Sequence, residues 1–205
     1  MNIFVLDTDT KLCAEYHCDK HLSKMITEHN QILGSIAYTA RGIFRKKDIT
    51  PEFVKIVFTG FPRKKDREPF PYGIGYRNHP CTQWAAKSLD NYMWLTDLTQ
   101  HMCIEYTKRY GKKHAGEEIN RWYTSNRPEL PAIGLTPFVL AMPDICKVPN
   151  DPVRSYRNYY ASHKVYFVKW KIQDPPWWKK HLKEMMSKGL IHEKSLKRAV
   201  EILSS

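Results

Sequence analysis

The stretch His17-Cys18-Asp19-Lys20-His21-Leu22-Ser23-Lys24-Met25-Ile26-Thr27-Glu28-His29-Asn30-Gln31-Ile32-Leu33 contains neither Pro nor Gly and is long enough for a helix. At ~100° per residue, His17, His21, Lys24 and Glu28 fall within about 40° of one direction. One helix face then carries two imidazoles, an amine and a carboxylate. Beside it Cys18, Leu22, Met25, Ile26, Leu33 and Ile36 form an apolar seam, so the polar line borders buried surface. A single His or Glu on a helix is usually just solvated. Four titratable groups in line at the edge of a core mark a candidate site, because proton affinities shift there.

Working outward, Asn2, Ile3, Phe4, Val5 and Leu6 read as a strand or an extended lead-in that plants the N-terminus in the core. Asp7, Thr8, Asp9 and Thr10 are capping types, so a helix is predicted from near residues 10–14 to about residue 41, with Gly34 inside it for close packing or a bend. Residues 42–80 form a basic, Pro- and Gly-rich connection carrying Arg45-Lys46-Lys47 and Arg63-Lys64-Lys65. Its centre, Phe53-Val54-Lys55-Ile56-Val57-Phe58, is the best strand or hairpin candidate. So long a connection is either ordered by a partner or an insertion. Pro80 opens a second long helix running through Trp84, Leu95 and Met102 to Tyr110, with Gly111 as its stop.

A short helix is expected over residues 117–125, followed by a Pro-punctuated extended stretch to Pro143. Asp151-Pro152 starts a further helix to Lys171, with Tyr156, Tyr159, His163, Phe167 and Trp170 on one stripe and Arg157, Tyr160, Lys164 and Lys171 on the next. Those rings are core and those cations solvated, or they stack on bases and hold phosphates. Asp174-Pro175-Pro176 breaks the pattern before a Lys-rich helical tail. The fold expected is mainly α: a compact single-domain bundle with two long packed helices, a basic loop or hairpin insertion and a helical C-terminal tail. Residues 1–171 make the domain, with 42–80 inserted and 172–205 appended.

The net charge of +12 on 205 residues favours a polyanionic partner, nucleic acid first. No long apolar segment promotes a membrane. A basic protein without an anionic partner is the bland alternative. Five cysteines, odd in number and without a Cys-x-x-Cys pair or a signal peptide, fit reduced thiols in a cytoplasm. His17 and His21 are spaced to share a metal ion, with a third ligand from His79, His114 or Asp7. Glu28, however, lies ~10 Å from His21 along the axis. No metal and no cofactor is therefore expected.

Asp19-Lys20-His21-Leu22 with Glu28 in a first helix resembles the pyrimidine-dimer DNA glycosylase/AP lyase family, the phage endonuclease V type. Gly75-Tyr76-Arg77-Asn78-His79-Pro80 is similar to a segment of its bacterial relatives, and Tyr156-Arg157-Asn158-Tyr159-Tyr160 resembles its aromatic-basic C-terminal motif. The likeness spans about residues 1–171. It implies an all-α enzyme that binds damaged or modified double-stranded DNA, flips a nucleotide and attacks the deoxyribose with an amine, assisted by Glu28. The family uses its N-terminal amine behind a small residue; here Met1 is followed by Asn2. Three amines stay open, those of Met1, of Asn2 after processing, and of Lys24.

His21 is implied as an organiser of that site or a phosphate contact. The expected DNA contacts are His17, Asp19, Lys20, Arg77, Asn78, His79, Tyr156, Arg157, Tyr159, Tyr160 and Lys164. No protein partner is expected, and the setting implied is a virus-encoded protein in a bacterial cytoplasm. Two other readings fit the same residues: a base- or nucleotide-modifying enzyme using Glu28, His21 and His79 without imine chemistry, and a non-catalytic DNA-binding accessory protein.

Overall fold

A computed structural model describes residues 2–62 and 72–204. Among the described residues every regular element is helical, and one hydrophobic core unites them. Residues 2–6 are extended and buried beneath that core. The chain then forms α1 (Thr10–Tyr16), α2 (Asp19–Thr39), α3 (Pro51–Val57), α4 (Pro80–Lys87) and α5 (Leu89–Tyr110). It continues as α6 (Gly116–Ser125), α7 (Pro152–Tyr159), α8 (Trp178–Ser187) and α9 (Glu193–Ser204). No helix among the described residues is long and apolar enough to cross a membrane.

The helix expected from residue 10 to 41 is two helices. Asp9 caps α1 by accepting from the Leu12 N–H at 2.8 Å. α1 ends because its last carbonyls are taken by a buried guanidinium: Arg109 of α5 donates to Glu15 O at 2.8 Å and to His17 O at 2.8 Å. The same side chain holds Glu105 at 2.8 Å and Asp19, in the first turn of α2, at 2.9 Å. His17 and Cys18 are extended between the two helices. The second long helix divides likewise at Ser88, whose hydroxyl caps α5 through the Asn91 N–H at 3.1 Å. Gly111, at φ 67°, ends α5 in the left-handed turn that its sequence predicts.

The hairpin expected at residues 53–58 is α3. Thr50 accepts from the Phe53 N–H and Pro51 occupies the first turn, a helix start whose signal outweighs the apolar run. Phe53, Val54, Val57 and Phe58 share the inward face. Phe58 stacks on Trp122 at 5.2 Å and tilts against Tyr38 at 5.0 Å. Arg63, Lys64 and Lys65 lie outside the described residues.

α7 stops at Tyr159, twelve residues before Lys171, because at Tyr160–Lys164 the chain widens into a π turn. There the Ser162 carbonyl accepts from the His192 N–H at 3.0 Å instead of continuing the helix. The tail is fastened by its tryptophans: Trp178 meets Trp170 at 5.0 Å, and Trp177 meets Tyr16 at 6.1 Å.

Gly34 serves close packing, not a bend. A Cβ there would stand 2.8 Å from Tyr72 O, so its absence lets the chain entering α4 lie on α2. One residue on, Ser35 Oγ bonds both the N–H and the carbonyl of Gly75. This pins residues 72–79 along the exposed side of α2.

Candidate active site on the second helix

Of the four side chains expected on one face, His17 is lost at once. It precedes α2, is fully buried, and its Nδ1 bonds Cys13 O at 2.7 Å. Burial drives its pKa down to about 4. A DNA contact is out of its reach.

His21, Lys24 and Glu28 do follow one another along α2. His21 is only 5% exposed, stacked on Phe4 at 4.4 Å and joined to the Tyr160 hydroxyl by a 2.6 Å hydrogen bond. Burial, and then the charges of His17, Lys164, Lys24 and Lys20, push its pKa down to about 2. The ring is therefore neutral at physiological pH and works as a post between helices, not as a proton shuttle.

Lys24 is open to solvent and pairs with Glu28 at 3.2 Å. Glu28 is tucked in, with 14% of its side chain exposed. A histidine from far along the chain feels its charge. His79 caps α4, accepting the Cys81 N–H on Nδ1 at 3.1 Å. Its pKa is lowered by burial and further by the charge of the chain's amino terminus, with Glu28 opposing. The same two charges act on Cys81, whose thiol burial raises to about 11. The amino-terminal charge, Glu28 and His79 thus share one electrostatic neighbourhood.

The head of the chain is held there by Asn2. Its Oδ1 accepts from Ile3 N, Tyr156 Oη and Cys81 Sγ at 2.8, 3.2 and 3.4 Å, and its Nδ2 donates to Ala141 O at 2.8 Å. Met1 lies outside the described residues. Nothing in the sequence singled out the Asn2 side chain as an anchor, since its partners stand 79, 139 and 154 positions away.

Several residues expected on DNA are spent on the fold. Tyr156 and Tyr160 are completely buried, the former donating to Val139 O at 2.8 Å. Arg157 donates to Leu6 O at 2.9 Å, pairs with Asp7 at 3.0 Å and lies over Trp177. Asp19 accepts from Arg109 and from the Lys171 N–H. What remains open to a ligand is Lys20, Lys24 and Lys164, with half-buried Tyr159 and His79 and exposed Arg77 and Asn78. Lys20 sits over Phe167 at 5.0 Å and Lys164 over Tyr159 at 4.4 Å. All three lysines act on His21, so their charges converge on one ridge beside the line that leads to Glu28.

Among the described residues no three His, Cys, Asp or Glu side chains gather to hold a metal. A cleft of about 240 Å³ lies elsewhere, between α1, α5 and residues 172–176. Arg109 lines it with its donors already used, so it offers none of the groups described above.

A family model described as pyrimidine dimer DNA glycosylase matches residues 1–118, a span holding the buried N-terminal segment, all of α2 and His79. No curated protein and no solved structure matches the chain. With more than half its length under that model, the chain belongs to the pyrimidine dimer DNA glycosylase family of DNA-repair enzymes.

Proposed function

We propose that this chain removes damaged pyrimidines from double-stranded DNA and cuts the strand at the resulting site, with the amine at the head of the chain as nucleophile and Glu28 as the proton-transferring carboxylate. The observations that carry this are the head of the chain fixed through Asn2 to Cys81, Tyr156 and Ala141, and the partly buried Glu28 on α2, whose charge acts on His79 and Cys81 at the start of α4. An α-amine has an ordinary pKa near 8, so an appreciable neutral fraction is ready to attack at physiological pH. Lys24 is the weaker candidate, because it is exposed and ion-paired, without the burial that a lysine nucleophile needs.

In this reading the lesion is flipped from the duplex, and the amine nitrogen bonds to C1′ as the bond from C1′ to the base breaks. The bonding pair leaves on the base nitrogen, which takes up a proton. Opening of the sugar gives an imine. The Glu28 carboxylate then removes a C2′ proton, and β-elimination expels the 3′ phosphate; water hydrolyses the imine and returns the amine. Lys20, Lys24 and Lys164 hold backbone phosphates on the ridge, with Arg77, Asn78 and His79 as further contacts. Residues 1–171 carry every group named, and residues 172–205 act as an appendage fastened through Trp177 and Trp178. The five free, buried thiols fit a reducing cytoplasm.

Borohydride reduction with a duplex containing an abasic site, followed by peptide mapping, tests the chemistry. A covalent adduct on the N-terminal peptide is the expected result. An adduct at Lys24 overturns the choice of nucleophile, and no adduct at all overturns the lyase reading in favour of base modification without an imine.

A further inference from the structure

We infer that the C-terminal appendage also holds DNA, with Lys194 and Lys197 at the start of α9 binding backbone phosphates of the duplex beyond the lysine ridge. The inference rests on the reading above that places DNA on that ridge. It adds a surface that the family match over residues 1–118 does not reach.

Three rings in series join the ridge to the appendage. Tyr159 carries Lys164 over its face at 4.4 Å and meets His163 at 5.4 Å, and His163 meets His192 at 5.0 Å. The π turn makes this junction. By widening at Tyr160–Lys164 it turns the Ser162 carbonyl over to the His192 N–H, at 3.0 Å, so the segment entering α9 is bonded to the turn that ends in Lys164. His192 then starts α9, accepting from Ser195 N on its carbonyl at 2.7 Å and from Lys194 N on its Nδ1 at 3.3 Å. With Nδ1 accepting, the ring hydrogen is on Nε2, one more donor at an exposed position.

α9 turns Ser195 and Ala199 inward. Lys194, Lys197 and Arg198 are exposed and fall within about 100° of one another on the outer side. Arg198 is taken by Glu201 at 2.9 Å, whereas among the described residues Lys194 and Lys197 have no ion-pair partner. Glu193 is the acid in the same turn. A duplex presents its phosphates in a continuous line, so a strand held at Lys164 offers the next ones to a cationic surface that continues from it. Two unpaired lysines one helical turn apart, fixed to the end of the ridge, suit that line.

The test follows binding by fluorescence anisotropy across a salt titration, using the full chain and a duplex with a tetrahydrofuran abasic analogue, which cannot form an imine. Lys194→Ala/Lys197→Ala is expected to bind about tenfold more weakly and to lower the slope of log K against log salt by about 1.8, or ~0.9 for each phosphate contact. Its melting temperature is expected to stay within about 2 °C of the wild type, because both side chains are exposed. Glu193→Gln, which removes the acid beside the two lysines, is expected to bind more tightly. A matched control takes the same charge from exposed Lys11 of α1 and Lys87 of α4 and is expected to keep the wild-type slope. Wild-type affinity and slope in Lys194→Ala/Lys197→Ala overturn the inference, as does an equal loss in the control pair. Strand cleavage of an abasic duplex, followed in parallel, keeps the repair reading separate. A chain that binds through these lysines and never cleaves sinks the chemistry and leaves this surface standing, whereas cleavage with a wild-type slope in the double variant sinks the surface alone.

Discussion

Replacing Glu28 with Gln separates chemistry from folding. The carboxylate is 14% exposed and its ion-pair partner Lys24 is 59% exposed. A pair so open to water is worth under about 1 kcal/mol. Glu and Gln have nearly equal helix propensity, so position 28 in the middle of α2 tolerates either. Loss of the Lys24 pair therefore costs about 1 kcal/mol or less, a fall in Tm of about 2–4 °C for a chain of this length. Losing a carboxylate that moves a proton in the transition state costs about 10²–10⁴ in rate, or roughly 3–5 kcal/mol of barrier. The two effects differ by enough to be read apart. Single-turnover strand cleavage of an ultraviolet-irradiated duplex gives the rate, and binding to the same duplex and a thermal melt give the controls. We expect a rate loss of at least about 100-fold, with binding changed by less than about tenfold, since a proton-transferring group rather than a phosphate contact is lost. Wild-type turnover would remove Glu28 from the mechanism. A melt lowered by more than about 10 °C would refute the argument from exposure, because the rate loss would then report unfolding.

Three further outcomes follow from the same geometry. Arg109→Ala removes one donor each from Glu105, Asp19 and the Glu15 and His17 carbonyls. It should cost about 3–5 kcal/mol in urea unfolding, and a loss under about 1 kcal/mol would show that the α1–α2 break does not depend on it. His17, His21 and His29 are held neutral by burial, with pKa values lowered to about 4, about 2 and about 3. The unfolded chain binds protons on these rings below pH ~6.5 and the native state does not, so their contribution is whole above that pH and lost below it. Each sheds on the order of 2 kcal/mol by pH 5, and a urea midpoint unchanged between pH 7 and pH 5 would contradict this. Lys20→Ala and Lys164→Ala should each reduce the salt dependence of DNA binding by roughly one phosphate contact. Arg157→Ala should instead lower stability, because its guanidinium is committed to Leu6 O and Asp7; a change in salt slope without a change in stability would reverse that assignment.

The helical class and several helix ends were legible in the sequence. Asp9 and Asp151-Pro152 start helices, and Gly111 stops one, because a cap acts within a single turn on backbone groups a few positions away. Even α3 was legible in Thr50-Pro51, had the cap been weighed above the apolar run that follows. Glu28 and its neighbour Lys24 were likewise readable, since one helix sets their spacing. Only the tertiary structure decided which polar residues face a ligand. An arginine reads the same in sequence whether it neutralises a phosphate or, like Arg109 and Arg157, binds carbonyls and carboxylates from distant parts of the chain. His17 appeared to share a helix face with Glu28 until an arginine 92 residues away took the carbonyls that would have continued the helix. The placing of the segment before α4 depends on Gly34 and Ser35, which seat it against α2. Local hydrogen bonding is written in adjacent residues, whereas burial is set by whichever distant segment arrives to cover them.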